Sequence, residues 1–311
     1  QAVVDENHDA IFASLVKLGC SWGQTLDRRG VEFGGALYGR TSDPRHHELV
    51  QDILLELHEN GFLIQETMEQ FCSIADDGGI KFLPDRYVQG VCPACSAEGA
   101  RGDQCDVCGA TYEANELKDP VSKLNPEIPV EIRETDHLFF RLDLLQGDLE
   151  NHAASRKSTW KPNVRAMTQN WLNMGLRPRA VTRDIEWGVK IPLDDEVWGE
   201  KRVYVWFDAV QGYLTCARIW SERIAEKSGS ESDIWRRWWM DGGNLRHIYF
   251  MGKDNIPFHT IIWPGILMAL NRGREDHERL HLEDNVASNE YLMLSGDQFS
   301  TSRKHAVWLP T

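Results

Sequence analysis

The chain has 311 residues, 41% of them hydrophobic, which is enough to bury a sizeable core in two or three domains. Its 34 Lys and Arg against 48 Asp and Glu give a net charge of −14, so any contact with a nucleic acid must be local. The apolar run at residues 261–270 is far shorter than a membrane span, and no basic and apolar leader opens the chain. The composition therefore predicts a cytoplasmic protein that does not associate with a membrane.

The first predicted element is an amphipathic helix over residues 42–61. Asp43 is a candidate N-cap, Pro44 stands at the first helical position, and apolar residues follow at helical spacing. Residues 62–90 and 110–145 carry short apolar runs separated by turns and prolines. These runs predict a small β-rich region.

Four cysteines lie within this region in two Cys-x-x-Cys pairs: Cys92, Cys95, Cys105 and Cys108. Two thiolate pairs separated by a short polar loop suit one tetrahedral zinc ion, and four soft ligands leave no open position, so the ion would be structural. Two disulfides or four unrelated thiols are the alternatives, which the paired spacing disfavours in a chain without secretory features. The remaining cysteines are isolated and are predicted to be ordinary buried thiols: Cys20, Cys72 and Cys216.

An α/β pattern follows a second capped helix, which is predicted from Pro162 to Gly175. The runs at 203–209 and 245–252 are apolar, β-branched and aromatic, as expected for parallel strands buried on both faces, and a helix is predicted after each. Ligands of open parallel sheets bind beyond the carboxyl ends of the strands. The polar residues at the ends of these runs and just after them should therefore border a common crevice: Asp208, Lys253, Asp254 and His259.

Six segments between residues 40 and 310 resemble, in order, the methionyl-tRNA synthetases, a family of class I aminoacyl-tRNA synthetases: FLPDRYVQG, the knuckle with GDQCDVCGATYEANEL, TRDIEWG, YVWFDAVQGY, FMGKDNIPFHTIIWP and SNEYLMLSGDQFSTSR. The resemblance implies an α/β fold, in which a Rossmann-like parallel sheet is interrupted by a small β-rich connective domain with the zinc knuckle. The implied domains are the C-terminal part of the first Rossmann half (1–63), the connective domain (64–180, with the knuckle at 92–108) and the second Rossmann half, which ends in the mobile ATP loop (181–311).

The resemblance assigns methionine binding to residues of two segments: Trp206, Tyr213, Asp254, Asn255, Phe258, His259 and Trp263. Trp206 would form a wall of the side-chain pocket, and Tyr213 would place its hydroxyl near the thioether sulfur. Aromatic faces with one weak donor suit this polarizable sulfur and distinguish it from aliphatic chains. Without the resemblance, Trp206 and Tyr213 are interpreted as core aromatics and His259 as a satisfied core histidine.

The resemblance also implies residues that act on ATP. It assigns catalytic roles to four of them: Arg183, Ser300, Ser302 and Arg303. It assigns the binding of ATP, which would enter with Mg²⁺, to five: His259, Asn289, Gln298, Thr301 and Lys304. Arg183 would stabilise charge developing on the α-phosphate. The common family form of the loop is Lys-Met-Ser-Lys-Ser, so Gln298 and Thr301 stand where two lysines are usual.

The implied activity is that of a methionine–tRNA ligase in translation, which activates L-methionine with ATP to methionyl-adenylate and transfers it to the acceptor end of tRNA(Met). Class I synthetases also use a His-x-Gly-His-type motif, which this sequence lacks. The chain is therefore expected to be an incomplete catalytic domain, without the anticodon-binding domain and with little or no activity alone.

Two alternatives stand beside this function. The first is a class I synthetase for an aliphatic amino acid such as leucine, which the aromatic pocket and the cysteine knuckle disfavour. The second is a non-catalytic, zinc-containing RNA-binding paralogue. The net charge of −14 disfavours it, since RNA binding normally needs a basic surface.

Overall fold

The structure, a computed structural model, describes residues 1–20, 25–26, 32–33, 38–74, 79–83, 87–102, 105, 108, 112, 116–123, 125–229, 232–240, 245–299 and 304–308. The chain packs into two units. Unit 1 comprises Gln1–Asn60, Leu142–Arg177 and Trp206–Thr311, and unit 2 comprises Gly61–Arg141 and Pro178–Val205. Within the described ranges, no helix is long and apolar enough to cross a membrane.

The α-helices follow one another as α1 (Ala2–Lys17), α2 (Pro44–Glu59), α3 (Gln146–Ser155), α4 (Pro162–Asn173), α5 (Asp195–Trp198), α6 (Val205–Ala209), α7 (Gly212–Ser228), α8 (Arg236–Trp239) and α9 (Trp263–Asn271). Short 3-10 turns cover Leu142–Leu145, Lys253–Asn255 and Asp276–Glu278, and a π-helical turn covers Phe258–Ile262.

The strands follow one another as β1 (Thr25–Leu26), β2 (Glu32–Phe33), β3 (Leu63–Ile74), β4 (Ile80–Phe82), β5 (Val88–Val91), β6 (Ala100–Arg101), β7 (Lys118–Ser122), β8 (Val130–Phe140), β9 (Arg179–Ala180), β10 (Thr182–Arg183), β11 (Arg202–Val203), β12 (Ile248–Gly252), β13 (Asn285–Asn289), β14 (Met293–Leu294) and β15 (Asp297–Gln298). The larger sheets have the orders β4-β3-β8-β9 and β6-β5-β7, and the smaller ones pair β1 with β2, β10 with β11, β12 with β13 and β14 with β15.

Both predicted amphipathic helices are confirmed. The Asp43 carboxylate accepts a hydrogen bond from the Arg45 backbone N–H at 3.0 Å, which caps α2, and Gly61 follows the helix with a φ of 76°. α4 spans most of the second prediction, and Gly175 follows it with a φ of 78°. Met174, which follows the last helical residue, is 70% exposed.

Unit 2 is built on two long antiparallel strands. β3 and β8 pair from Leu63 opposite Phe140 to Ser73 opposite Val130, so these strands are longer than the short runs predicted there. The smaller β6-β5-β7 sheet shares an apolar cluster with Phe71 of β3, and Cys92 is fully buried in this cluster. The predicted β-rich region around the cysteines is thus confirmed.

The parallel pair of unit 1 confirms the predicted strand at 245–252. β12 and β13 run parallel, with Ile248 opposite Asn285 and Gly252 opposite Asn289. The predicted burial of β12 on both faces is wrong, since Phe250 is 80% exposed while its neighbour Tyr249 is 7% exposed. Successive side chains of a strand point to opposite faces, and in the described structure only one face of β12 is well covered.

The predicted parallel strand at 203–209 is wrong. Only Arg202–Val203 forms a strand, antiparallel to Thr182–Arg183, and Val205–Ala209 is the helix α6. A short apolar run has the same composition in a buried strand and in a buried helical turn, so the residues alone do not distinguish them.

The two packed units do not coincide with the predicted domains of 1–63, 64–180 and 181–311. Those domain bounds stay a prediction. Residues 142–177 pack with unit 1, although they fall within the predicted connective domain. Residues 181–205 pack with unit 2, although they fall within the predicted second Rossmann half.

Of the three isolated cysteines, Cys72 is buried as predicted, Cys216 is half-buried and Cys20 is exposed. The predicted burial of Cys20 is therefore wrong. It follows Gly19, whose φ of 79° ends α1, a helix without a buried residue that could cover the thiol.

A buried hydrogen bond in unit 1 yields a stability prediction. His152 Nε2 lies 2.7 Å from Glu283 Oε1, and the Glu283 side chain is fully buried. We expect Glu283→Ala to lower the free energy of unfolding by about 1 to 3 kcal/mol, because the buried imidazole of His152 loses its hydrogen-bond partner. Urea denaturation measures this difference.

The matched variants separate the hydrogen bond from the charge. Glu283→Gln keeps an acceptor oxygen for His152 and should cost clearly less than Glu283→Ala. Glu131→Ala removes a half-exposed carboxylate that pairs with Arg133 and should change stability by less than about 1 kcal/mol. Equal losses for alanine and glutamine at position 283 would contradict the importance of this hydrogen bond.

Candidate active site and metal cluster

A break in helical geometry shapes the segment that carries the candidate methionine-binding residues. Pro264 has no N–H, so the carbonyl of Thr260, four residues earlier, lacks its usual helical donor. The chain forms a π-helical turn over Phe258–Ile262 before α9 begins. Such turns frequently occur at functional sites. This one sets the positions of Phe258 and His259.

A hydrogen bond joins the two polar rings of the site. The Tyr213 hydroxyl lies 2.7 Å from His259 Nε2, and His259 Nδ1 lies 2.9 Å from the backbone oxygen of Asn255. A carbonyl only accepts, so Nδ1 carries the hydrogen of the neutral ring and Nε2 accepts from the Tyr213 O–H. Burial lowers the pKa of His259 and raises the pKa of Tyr213, so both groups are uncharged at neutral pH.

Two further aromatic pairs surround this hydrogen bond. Trp206 is 44% exposed and stacks on Phe258, with ring centroids 5.1 Å apart and planes at 25°. Trp263 is fully buried, and its indole N–H donates to the Tyr249 hydroxyl at 3.0 Å. Trp206 is thus available to a ligand in unit 1, whereas Trp263 acts from beneath the surface.

Tyr249 is a site residue that sequence reasoning missed. Its ring centroid lies 4.7 Å from that of Tyr213 and 5.5 Å from that of His259, and it accepts the Trp263 hydrogen bond. The available signal was its place in the predicted strand just before Lys253, but the sequence does not show which face of β12 is covered. Tyr249 therefore connects the strand to the predicted site.

The carboxyl ends of β12 and β13 bring further predicted residues together. Gly252, the last residue of β12, pairs with Asn289, the last residue of β13. Lys253 and Asn289 therefore lie at the same end of the parallel pair. Lys253 Nζ lies 2.7 Å from a Glu290 carboxylate oxygen and 4.5 Å from the centre of the Tyr291 ring. Lys253 is thus already paired with an acid.

Several predicted residues lie outside this aromatic group. Asp254 is exposed and accepts a long hydrogen bond of 3.4 Å from the Asn255 amide, while the Asn255 backbone oxygen holds His259. Lys304 is exposed. Four predicted loop residues lie outside the described residues: Ser300, Thr301, Ser302 and Arg303. The side chain of Gln298 also lies outside the described part of the structure.

Arg183 belongs to unit 2, where backbone oxygens and an aromatic ring hold its guanidinium. The group donates to the backbone oxygens of Thr182 at 2.8 Å and Ala180 at 3.2 Å, and it lies 4.2 Å from the centre of the Tyr204 ring. None of these three contacts is with a carboxylate, so none of them neutralises the positive charge of Arg183. The contacts hold the guanidinium in one position.

A buried polar network lies beside this arginine in unit 2. His137 is fully buried and contacts Thr182 Oγ1 at 2.9 Å, Gln70 Oε1 at 3.1 Å and an Asp184 oxygen at 3.1 Å. The second Asp184 oxygen accepts from Lys201. Burial acts to raise the pKa of Asp184, but the hydrogen bonds from His137 and Lys201 hold it below its ordinary value. This network fixes the end of β10.

Asp208, predicted near the crevice, is buried in α6. The residue is 4% exposed, and one carboxyl oxygen has no hydrogen-bond partner among the residues of the described structure. Burial disfavours the charged carboxylate and raises the pKa of Asp208 to about 7.

The four predicted metal ligands are brought together. Their sulfur atoms all lie within 4.8 Å of one another: Cys92, Cys95, Cys105 and Cys108. The Cys92–Cys108 and Cys95–Cys105 sulfur distances are 3.8 and 3.7 Å, and the Cys95 N–H points to the Cys92 sulfur at 3.4 Å. Tetrahedral bonds of about 2.3 Å from zinc place neighbouring sulfurs about 3.8 Å apart. The cluster therefore fits one tetrahedral metal ion.

The fold that carries these groups is that of class I tRNA synthetases. A methionyl-tRNA synthetase from Mycobacterium tuberculosis, solved in complex with methionyl-adenylate, matches 97% of this chain and 46% of its own, with a TM-score of 0.61 and 22% identity. Its free-state structure matches 94% of this chain and 46% of its own, with a TM-score of 0.56 and 20% identity. The predicted fold class is confirmed.

The chain belongs to the family of tRNA synthetases class I (M), whose model matches residues 22–311. Similar proteins include the methionine–tRNA ligase of Chlorobaculum tepidum, which is 42% identical over 99% of this chain and 40% of its own length. The methionine–tRNA ligase of Roseiflexus sp. strain RS-1 is 45% identical over 92% of this chain and 46% of its own length. That of Thermoplasma acidophilum is 44% identical over 90% of this chain and 47% of its own. The chain spans less than half the length of these relatives.

The raised pKa of Asp208 gives a prediction about pH. The folded protein binds a proton at the Asp208 carboxyl more tightly than the unfolded chain does. The contribution of Asp208 to the free energy of unfolding therefore falls as pH rises from about 4 to about 7 and is constant above that. Asp208→Asn removes the buried charge. We expect the stability gained by this variant to be about 2 to 3 kcal/mol larger at pH 8 than at pH 5.

Chemical denaturation at the two pH values measures this difference. Asp276→Asn, at a carboxyl group that is 89% exposed, controls for the loss of one acidic group. An Asp208→Asn effect that does not change with pH would mean that the Asp208 carboxyl is not desolvated in the folded protein.

Proposed function

We propose that this chain is part of a cytoplasmic methionine–tRNA ligase, which activates L-methionine with ATP and Mg²⁺ and transfers it from methionyl-adenylate to the acceptor end of tRNA(Met). The observation that carries the proposal is the uncharged aromatic group of Trp206, Tyr213, Tyr249, Phe258 and His259. It is the surface that a thioether side chain needs, and it stands in a chain 42% identical to a methionine–tRNA ligase over 99% of its length.

The hydrogen-bond direction refines how the side chain would be recognised. Tyr213 uses its proton for His259, so its oxygen offers lone pairs to a ligand. The thioether sulfur is also an acceptor, so a hydroxyl donor to it is not available in this state. Recognition would instead rest on the polarizable ring faces of Tyr213 and Trp206, with Phe258 holding Trp206 in place.

The chemical step is attack of the methionine carboxylate on the α-phosphate of ATP, which forms the mixed anhydride and releases pyrophosphate. Arg183 would stabilise the charge that develops on the α-phosphate, since its guanidinium is held in place before the substrate arrives. Ser300, Ser302 and Arg303 would complete this step from the ATP loop.

The remaining assignments of the site form one group. Methionine would be bound with the help of Asp254 and Asn255 above the buried Trp263. The nucleotide would be bound by five residues: His259, Asn289, Gln298, Thr301 and Lys304. Asn289 supports this assignment best, because it ends β13 at the carboxyl end of the parallel pair.

The cysteine cluster would hold one structural zinc ion per chain. Four sulfur ligands suit zinc and leave no coordination position for a substrate or water. When bound, the ion would act as a cross-link in unit 2, between the turn after β5 and the segment that follows β6. The residues of the cluster take no part in the chemistry.

Methionine-dependent ATP–pyrophosphate exchange tests the function on the full-length natural protein that carries this chain. We expect methionine to support exchange with a kcat/KM about 10- to 200-fold above that of leucine, the range that side-chain pockets achieve. His259→Ala should raise the KM for methionine about tenfold or more, because Tyr213 loses its partner.

His277→Ala, at an exposed histidine outside the site, is the control. Preference for leucine would support the alternative synthetase. If neither amino acid supports exchange while the protein still binds tRNA, the result would contradict the proposal and favour a non-catalytic RNA-binding paralogue.

The zinc proposal has its own test. Metal analysis should return one zinc ion per chain, and Cys105→Ser should lower this content and unfold residues near 85–115, since Cys105 is fully buried in the cluster. Hydrogen exchange measures the local unfolding. Cys72→Ser, at a buried cysteine outside the cluster, should leave the zinc content unchanged. An intact chain without zinc would contradict this assignment.

A further inference from the structure

A cavity of about 600 Å³ lies between α3 and α4 in unit 1. Its walls include Ala154, Lys157, Trp160, Arg165 and Leu172. The residues assigned above to methionine, ATP or metal do not line it. Its volume is within the range of sites for small organic molecules.

Small apolar residues form part of the walls of this cavity and leave room between the two helices. Ala153 and Ala154 come from α3, Ala166 from α4, and Pro162 and Leu172 extend the apolar surface. Alanines of both helices thus border the cavity, and the space beside them, which we call the alanine slot, is open to an apolar body.

Two cations border the slot without an acidic partner. Arg165 donates to the Lys157 backbone oxygen at 3.3 Å, and neither side chain forms an ion pair in the part of the chain that the structure describes. The Glu150 carboxylate, which also lines the cavity, accepts a hydrogen bond from the Gln146 amide. In a protein with a net charge of −14, two cations without acidic partners at one cavity favour an anionic ligand.

Apolar residues and two cations without acidic partners therefore occur at one cavity.

We propose that the cavity between α3 and α4 binds a small molecule that has a flat apolar body and one carboxylate. The body lies in the alanine slot against Trp160, and the carboxylate is held by Arg165 and Lys157. A guanidinium can engage both oxygens of a carboxylate, which distinguishes this ligand from a neutral molecule of the same shape.

The test compares 2-naphthoate with the neutral 2-naphthamide as probes of the full-length natural protein that carries this chain, by isothermal titration calorimetry. We expect naphthoate to bind at least tenfold more tightly than naphthamide. Arg165→Gln and Lys157→Gln should each weaken naphthoate binding at least fivefold and change naphthamide binding by less than twofold. Arg177→Gln, at an exposed arginine outside the cavity, should leave both unchanged.

A second variant tests the slot without changing charge. Ala166→Leu should abolish binding of both probes, since the added methyl groups fill the space between the helices. Absence of naphthoate binding, equal affinity for the two probes, or naphthoate binding that survives both Ala166→Leu and Arg165→Gln would overturn the proposal. Methionine-dependent exchange plays no part in this test, so the proposed function and this inference fail separately.

Discussion

The hydrogen bond from Trp263 to Tyr249 is the contact on which the candidate site depends. It joins the first residue of α9 to the second residue of β12, and the Tyr249 ring then supports Tyr213 and His259. Because Trp263 is fully buried, its N–H needs an acceptor within the protein. A helix, a strand and the aromatic surface are thereby held in one arrangement.

The electrostatics of the molecule are local. The chain as a whole is strongly acidic, yet the aromatic group is uncharged, because burial keeps His259 and Tyr213 neutral. Lys253 is paired with Glu290, whereas Arg183 is held by backbone oxygens and a ring. Cations without acidic partners are therefore informative in this protein, which is why the two at the α3–α4 cavity point to a ligand.

Much of the fold could be predicted from local patterns. The α2 helix was found from its cap and its apolar spacing, since both act within a few residues. The segment 203–209 was assigned wrongly, because an apolar run of that length has no periodicity that separates strand from helix. The six motifs placed Trp206, Tyr213 and His259 in one site, but Tyr249 carried no such signal.

The sequence by itself determined the family and the grouping of the four cysteines, because motif order and Cys-x-x-Cys spacing are properties of the chain. Only the tertiary structure decided which groups are buried and with which partners. The pKa of Asp208, the hydrogen-bond direction between Tyr213 and His259, and the exposure of Phe250 all depend on neighbours distant in sequence. Desolvation and hydrogen bonding act between atoms that folding brings together, and no local pattern of residues encodes them.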